Sequence, residues 1–539
     1  MRGARRHSTF SDLDDALKAL QGIPSPKKRP RAIDQRTTLA TSGERFDRSA
    51  DYRQPGNALV VRRQILFGKT NVNNQSEFLK EQVNRIGALG LVLAAMVVPG
   101  LAKADGADHG ASATKFPSEQ PVGNDTPTNE RWSIHGQLTN VTQWHPQFRS
   151  PYSGTNSLDS NGHSAETTDL TLYAGLRLWR GAEVWINPEI DQGFGFNNTV
   201  GVAGFPNGEA YKIGADTPYL RIPRAFIRQV IPLGGSEELI TSGANQLAGS
   251  KTSDNVTVTL GKFSVVDIFD TNSYAHDPRA DFLNWSVIDA GPFDYAADAW
   301  GFTYGAAAEW TQGWWTLRGG LFELSKVPNG KIVSVNFSQY VLVSELETRY
   351  QWQDHPGKIK VLGFVNKGRM GSYRDAVERA RQVGDTPDIA LVRRRGSRAG
   401  VTVNVEQELS SDLGAFARFG FNDGSKEAYE FTEINKSLSA GLSLKGNRWG
   451  RPNDTLGIAG VVNTLSVAGR EYFSAGGLGI LIGDGRLNYA AEKIMEIYYS
   501  LQLGKYAKFS LDYQHVANPA YNRDRGPVSI YGVRLHSEF

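Results

Sequence analysis

Val528–Phe539 reads VSIYGVRLHSEF, and its alternation decides the fold. Tyr531, Val533, Leu535 and Phe539 fall on one face of a two-residue period; Gly532, Arg534, His536 and Glu538 fall on the other. Successive side chains of a strand point to opposite sides of the sheet, so one face here is greasy and the other polar. Strands built this way close into barrels with lipid outside and water inside. The pattern recurs upstream. Leu170, Leu172, Ala174, Leu176 and Leu178 oppose Asp169, Thr171, Tyr173 and Arg177, and Leu438, Ala440, Leu442 and Leu444 oppose Ser437, Ser439, Gly441 and Ser443. A soluble β-sandwich also has many strands, but its outward faces are polar.

Counting by period from Trp132 gives sixteen candidate strands. They are Ser133–Trp144, Thr168–Trp179, Ala182–Ile190, Pro223–Ile231, Asn255–Val265, Phe302–Thr311, Trp314–Leu324 and Tyr340–Trp352, then Lys358–Asn366, Arg398–Leu409, Leu413–Asp423, Lys436–Gly446, Asp454–Leu465, Lys493–Gly504, Lys508–Asn518 and Val528–Phe539. The connections alternate between short, such as Arg180-Gly181 and Gln312-Gly313, and long, such as Asp191–Ile222 and Lys367–Ser397. Bacterial barrels pair short periplasmic turns with longer extracellular loops in this way, so both termini are expected in the periplasm. Pro232–Asp254 breaks the rule, being too long for a turn, and is expected to carry a small element of its own. The fold class expected is all-β, a transmembrane antiparallel β-barrel of about 16 strands with inward-folded loops. Eight strands close around packed side chains, whereas ~16 leave an aqueous lumen.

Composition agrees. The 539 residues are 40% hydrophobic with a net charge of +3, which argues against both a helical membrane protein and a nucleic-acid binder. The 58 glycines and 10% aromatics suit many turns and interfacial aromatic girdles. With no cysteine, disulfides, thiolate metal sites, cysteine nucleophiles and a lipidated cysteine anchor are excluded. Ile86–Leu101 is an apolar run preceded by Lys80 and Arg85 and followed by Ala102-Lys103-Ala104, so residues 86–104 read as a cleaved secretory signal; a spanning helix needs ~20 apolar residues. Residues 1–85 then read as a non-native or disordered N-terminal extension, with translation expected to start near Leu79; peptides recovered from residues 1–78 in cells would overturn this. The basic stretch within Pro24–Arg31 reads as a solvated tail. Residues 105–130 are polar and read as a periplasmic linker, leaving 131–539 for the barrel.

On the polar faces of the second to fourth strands lie Arg177, then Glu183, Trp185, Asn187 and Glu189, then Arg224 and Arg228. Mixed signs in a narrow pore suit a neutral polyol: guanidinium forks and carboxylates each take two hydroxyls, and an aromatic face covers the apolar face of a sugar ring. The competing reading is that Arg–Glu pairs across strands merely neutralise one another and stiffen the wall. The loop Val266–Gly301, with Asp267, Asp277 and Arg279 among its charges, is longer than a connection requires and is expected to fold inward as a constriction. An enzyme finds little support. The nine histidines are scattered, no His-Glu-x-x-His or Gly-x-Ser-x-Gly occurs, and no phosphate-binding loop supplies an energy source.

Phe148–Gly154 (FRSPYSG), Gly204–Glu209 (GFPNGE), Tyr274–Trp285 (YAHDPRADFLNW), Leu413–Gly424, Ser437–Asp454, Gly476–Tyr489 (GGLGILIGDGRLNY) and Asn518–Phe539 resemble the carbohydrate-selective, OprB-like porins of the bacterial outer membrane. The likeness runs in order from about Arg131 to Phe539. It implies a sixteen-stranded barrel passing monosaccharides by facilitated diffusion through an eyelet lined by arginine and carboxylate. The partners implied are small neutral sugars, outer-membrane lipid and lipopolysaccharide, and the barrel-assembly machinery, which recognises a last strand ending on an aromatic. No cofactor, metal or nucleic acid is implied. A homotrimer is left open, because such interfaces are apolar like the lipid-facing wall. A general or anion-selective porin shares the fold and differs only in the eyelet.

Overall fold

The computed structural model describes residues 129–210 and 214–539. The basic stretch at Pro24–Arg31, the apolar run Ile86–Leu101 and all but the last two residues of the expected linker lie outside the described residues. Sixteen antiparallel strands form one closed barrel in which each strand pairs with its sequence neighbours. They are β1 (Trp132–Gln147), β2 (Asn161–Trp179), β3 (Ala182–Gly193), β4 (Ala215–Ile240), β5 (Gly249–Phe263), β6 (Thr303–Gln312), β7 (Trp315–Glu323) and β8 (Tyr340–Trp352). The second half comprises β9 (His355–Met370), β10 (Arg394–Ser410), β11 (Leu413–Asn422), β12 (Lys436–Gly446), β13 (Arg451–Thr464), β14 (Glu492–Leu503), β15 (Ala507–Ala517) and β16 (Val528–Glu538). The ring closes where β1 meets β16, in register from Gln137↔Glu538 to Trp144↔Tyr531.

Every strand expected from alternation is present, and β8 and β12 have the expected bounds. Others run on. β9 starts at His355 rather than Lys358 and ends at Met370 rather than Asn366. Ladder hydrogen bonds extend a strand past the lipid band, where the apolar-out pattern has no reason to continue. The facing is as read: Leu172, Leu176, Leu438, Leu442, Tyr531 and Val533 are exposed, while Asp169, Thr171, Ser437, Ser439, Arg534 and His536 are buried. Trp132, Trp179, Trp314, Trp352, Trp449, Tyr506 and Phe539 are exposed around the end with the short turns, as one interfacial girdle.

Pro232–Asp254 is a correction to the expected separate element. β4 and β5 simply continue past the barrel rim as a two-stranded ribbon, paired from Pro232↔Asn255 to Ile240↔Gly249 with irregularities on either side of Gly234. Gly234 and Gly235 have φ of 124° and 86°, a conformation open to glycine, and they bend the ribbon.

The loop between β5 and β6, residues 264–302, lies inside the barrel and crosses it. Asp270 receives the Asn404 amide of β10 at 2.8 Å and the Arg418 guanidinium of β11 at 3.3 Å, and its own N–H donates to Glu345 of β8 at 2.8 Å. Arg418 also donates to the carbonyls of Val287 and Ala275, each at 2.8 Å. On the far wall Arg534 of β16 donates to the carbonyls of Pro278 (2.6 Å) and Asp281 (2.7 Å), and Glu496 of β14 accepts from the N–H of Asn284 at 3.1 Å. The loop returns to β6 past Asp294, which is paired with Arg398 of β10.

A short helix within this loop, α1 (Trp285–Ile288), is capped by the Asn284 side chain. Trp285 stacks on Phe205 at 5.3 Å and on Phe431 at 5.4 Å, so three separate loops meet in one pile of rings. Each such contact adds about 0.5–1.5 kcal/mol beyond area burial. Above it pack α2 (Tyr373–Val383) and α3 (Val467–Ser474), joined through Tyr373 and Tyr472 with ring centroids 5.0 Å apart. The half of the barrel nearer the long loops therefore carries an aromatic core of its own. Strand count alone implies a more open interior.

Candidate pore-lining site

The β3–β4 pair positions the charges. Its register shifts between Asn187↔Arg224 and Glu189↔Arg221, leaving one extra residue in β4 beside Pro223. Proline supplies no N–H to a ladder, so it belongs at such a bulge. The consequence is chemical: Arg221 and Arg224, three apart, both face inward, where strict alternation would send one of them into lipid.

Arg221 reaches Glu189 and Asp191 together, and both carboxylates are fully buried. Thr171 on β2 donates to Glu189 at 2.6 Å. Arg224 makes a bidentate pair with Asp267 of the inward loop, at 2.8 and 2.7 Å, and lies 4.8 Å from the centroid of the Phe302 ring. Arg279 extends the network from the same loop, 3.0 Å from Glu209, 3.3 Å from Asp169 and 3.6 Å from Glu189. Burial alone would raise the Asp267 carboxyl, but the Arg224 guanidinium and the Ser264 N–H outweigh it and hold it below the usual range. Asp277 is likewise held low, burial being outweighed by Arg279. Asp277 is nonetheless exposed to solvent, although it sits on a segment anchored inside the barrel.

The nine residues singled out from sequence fall into two layers. Glu189, Arg224, Asp267, Asp277 and Arg279 gather where the inward loop meets β2–β4. Arg177, Glu183, Trp185 and Arg228 lie nearer the short-turn rim; six residues of strand separate Glu183 from Glu189, about 20 Å at 3.3 Å each. In this second layer Arg177 is 3.7 Å from Glu183, and Arg228 donates to the carbonyl of Asn245 at 2.8 Å. Trp185 donates to Glu183 at 3.1 Å, but only 1% of it is exposed, because its ring fills the hollow over Gly175. It packs the wall.

Sequence reasoning missed Arg221, Asp169, Asp191 and Glu209. Pro223 was the available signal for Arg221, since a proline inside a strand announces a bulge and resets the facing. Glu209 ends the Gly204–Glu209 segment that carries part of the family likeness, but no spacing along the chain assigns it to this network. It is brought in by the segment 194–210, whose Ala203 and Gly204 N–H groups are held by Glu492 of β14 at 3.0 and 2.7 Å.

The opposite wall carries a second mixed network. Arg318 of β7 contacts Glu309 (2.9 Å), Glu345 (2.7 Å) and Glu347 (3.0 Å), and Lys358 of β9 contacts Glu406 of β10 at 2.9 Å. Both networks thus present cations and carboxylates side by side. Among the described residues no cluster of side chains fits a metal ion.

A sequence model described as carbohydrate-selective porin, OprB family, matches residues 155–539. Porin AaxA of Chlamydia muridarum is 23% identical over 334 residues, 59% of this chain and 61% of that relative's length. Among solved structures, the high-pH structure of Pseudomonas putida OprB superposes with a TM-score of 0.58 at 15% identity, covering 76% of this chain and 94% of that one. The outer membrane channel DcaP of Acinetobacter baumannii gives 0.42 at 12% identity, covering 78% and 100%. At 15% identity the likeness to the Pseudomonas putida structure is one of fold.

Proposed function

The chain belongs to the carbohydrate-selective porin family of outer-membrane β-barrels, and from that premise we propose that it passes monosaccharides of the glucose type passively into the periplasm. It is a channel rather than an enzyme, and transport needs no energy source. The short-turn end faces the periplasm and the long loops face the medium. The inward loop 264–302 forms the constriction, and Glu189, Arg224, Asp267, Asp277 and Arg279 line it; Arg177, Glu183, Trp185 and Arg228 belong to the wall below.

One observation supports this reading most: the cations at the crossing of loop and wall are matched by carboxylates, with Arg224 on Asp267 and Arg279 among Asp169, Glu189 and Glu209. An anion-selective pore would leave an excess of cations to draw ions through. A neutral solute sees instead a ring of donors and acceptors held apart at fixed spacing, able to exchange hydroxyl contacts for water contacts at little cost. Affinity must stay weak, and millimolar binding, about 4 kcal/mol, biases entry while allowing exit.

The test is ion conductance across a planar bilayer with glucose added. Block of the current at millimolar sugar, with little ion preference in a salt gradient, is the expected result. Absence of block together with strong anion preference would replace the sugar reading by the anion-selective one.

A further inference from the structure

The ribbon formed by β4 and β5 does not hang free below the barrel. Its tip, residues 241–248, folds back onto the inward side of the wall and is held there by three strands and by the segment that precedes β1. His135 of β1 lies 2.9 Å from Ser242 Oγ. Arg177 of β2 donates to the carbonyl of Ala248 at 3.0 Å, and Arg228 of β4 donates to that of Asn245 at 2.8 Å. All three side chains alternate with exposed apolar neighbours, such as Ile134, Leu176, Leu178 and Ile227, so they face the interior. Leu247 is 1% exposed and joins the apolar cluster inside the barrel that includes Trp185 and Phe226. A polar periplasmic turn does not need to bury a leucine inside the barrel it connects.

Glu130 fastens the tip. Its carboxylate accepts from Ser242 Oγ at 2.7 Å and from the Ala248 N–H at 2.8 Å, and its own N–H donates to the Ala248 carbonyl at 3.1 Å. Arg177 closes the arrangement from the other side, donating to the Glu130 carbonyl at 2.9 Å. The bend that makes this possible is at Gly234 and Gly235, where positive φ turns the ribbon back under the rim.

We propose that residues 241–248 form a second filter in series with the constriction, at the short-turn mouth, which sets the size of solute that leaves the barrel. The tip reads TSGANQLA and carries no charge, so its exposed Thr241 and Gln246 present one hydroxyl and one amide to a passing solute. Beside them, on the wall to which the tip is fastened, lie Arg177, Glu183 and Arg228. This is again a surface for hydroxylated neutral solutes, and its narrowness comes from the folded-back tip. Glu130 is a positioning residue here; it holds the tip and does not itself line the way out. The inference rests on the reading that the barrel conducts sugar.

The experiment uses the full chain in planar bilayers and in liposomes. Glu130→Ala frees the tip; about a 1.5-fold rise in conductance and about a twofold rise in the swelling rate with a disaccharide relative to a monosaccharide are expected, with glucose block at the upper constriction unchanged. Because the chain has no cysteine, Ala244→Cys provides a single thiol on the tip. Its reaction with a bulky cationic methanethiosulfonate reagent should lower conductance by about half, while the same label at Leu239→Cys, on the outer side of the ribbon, should not. Unchanged conductance and unchanged size discrimination in Glu130→Ala, or no effect of the label at position 244, would overturn the second filter. Failure of the sugar reading would show separately, as absence of glucose block in the unaltered protein.

Discussion

Gly136 and Phe539 fasten the barrel shut. The Gly136 N–H donates to the Phe539 carbonyl at 2.7 Å, the Phe539 N–H returns a bond to Gly136 at 2.9 Å, and the aromatic ring lies where a Cβ on Gly136 would stand, 2.5 Å from Cε2. A glycine on the lipid-facing side of β1 thus receives the last side chain of the chain as its cover, an aromatic shield over exposed backbone.

Gly136→Val should therefore displace that ring and loosen the seam between first and last strands, costing about 1–3 kcal/mol as an overpacked contact. Heat-dependent gel mobility of the refolded barrel reads this directly. Equal mobility transitions for the variant and the parent would show that the ring contributes nothing to closure.

Arg418→Met should release the inward loop. The side chain is 2% exposed and serves Val287, Ala275 and Asp270, so its loss leaves buried carbonyls and a buried carboxylate without their cation. Breaking such an arrangement costs about 3–5 kcal/mol. The expected signs are a lower unfolding temperature and a noisier, larger single-channel current. A quiet current of parental size would mean that the other anchors hold the loop without it.

Arg224→Ala should weaken glucose block by about tenfold while leaving the barrel folded, since it removes a forked donor that can take two hydroxyls. It also strips Asp267 of its partner, which should tilt ion preference toward cations. Unaltered block would move the sugar contact away from the bulge between β3 and β4.

Stability should fall as pH rises from 5 to 8, in part through Glu433 in the loop 423–435. Burial pushes this carboxyl from 4.5 up to about 7, against the opposing pull of the Ile480 and Leu481 N–H groups. Between those two values the folded protein keeps the proton and the unfolded chain has lost it, so rising pH favours unfolding, by up to about 3 kcal/mol. Glu433→Gln should flatten the pH dependence of thermal unfolding in detergent. An identical slope in the variant would assign the effect to other carboxyls.

The barrel was legible because its rule is local. Alternation places Leu438 outward and Ser439 inward from two adjacent residues, and every strand repeats that choice. The sequence reading starts the fourth strand at Pro223 and leaves Arg221 in the connection Asp191–Ile222, because the bulge beside Pro223 breaks the alternation; β4 in fact begins at Ala215. The ribbon at 232–254 was hidden because a paired ribbon outside lipid has no apolar-out signature. The loop anchors were beyond reach altogether: Arg534 and Pro278 are brought together by closure of the whole ring, and no spacing along the chain foretells their contact.

Arg418 and Arg534 hold the inward loop chiefly by peptide carbonyls, which every amino acid possesses. These two anchors are thus indifferent to which side chains the loop carries at the bonded positions, whereas Asp270, Asp294 and Trp285 hold it by side chains of their own. On the proposed reading, exchanging residues such as His276 or Asp277 would alter what the passage prefers while these anchors keep its course, which makes this segment a natural target for retuning solute preference by mutation, in the laboratory or in a lineage.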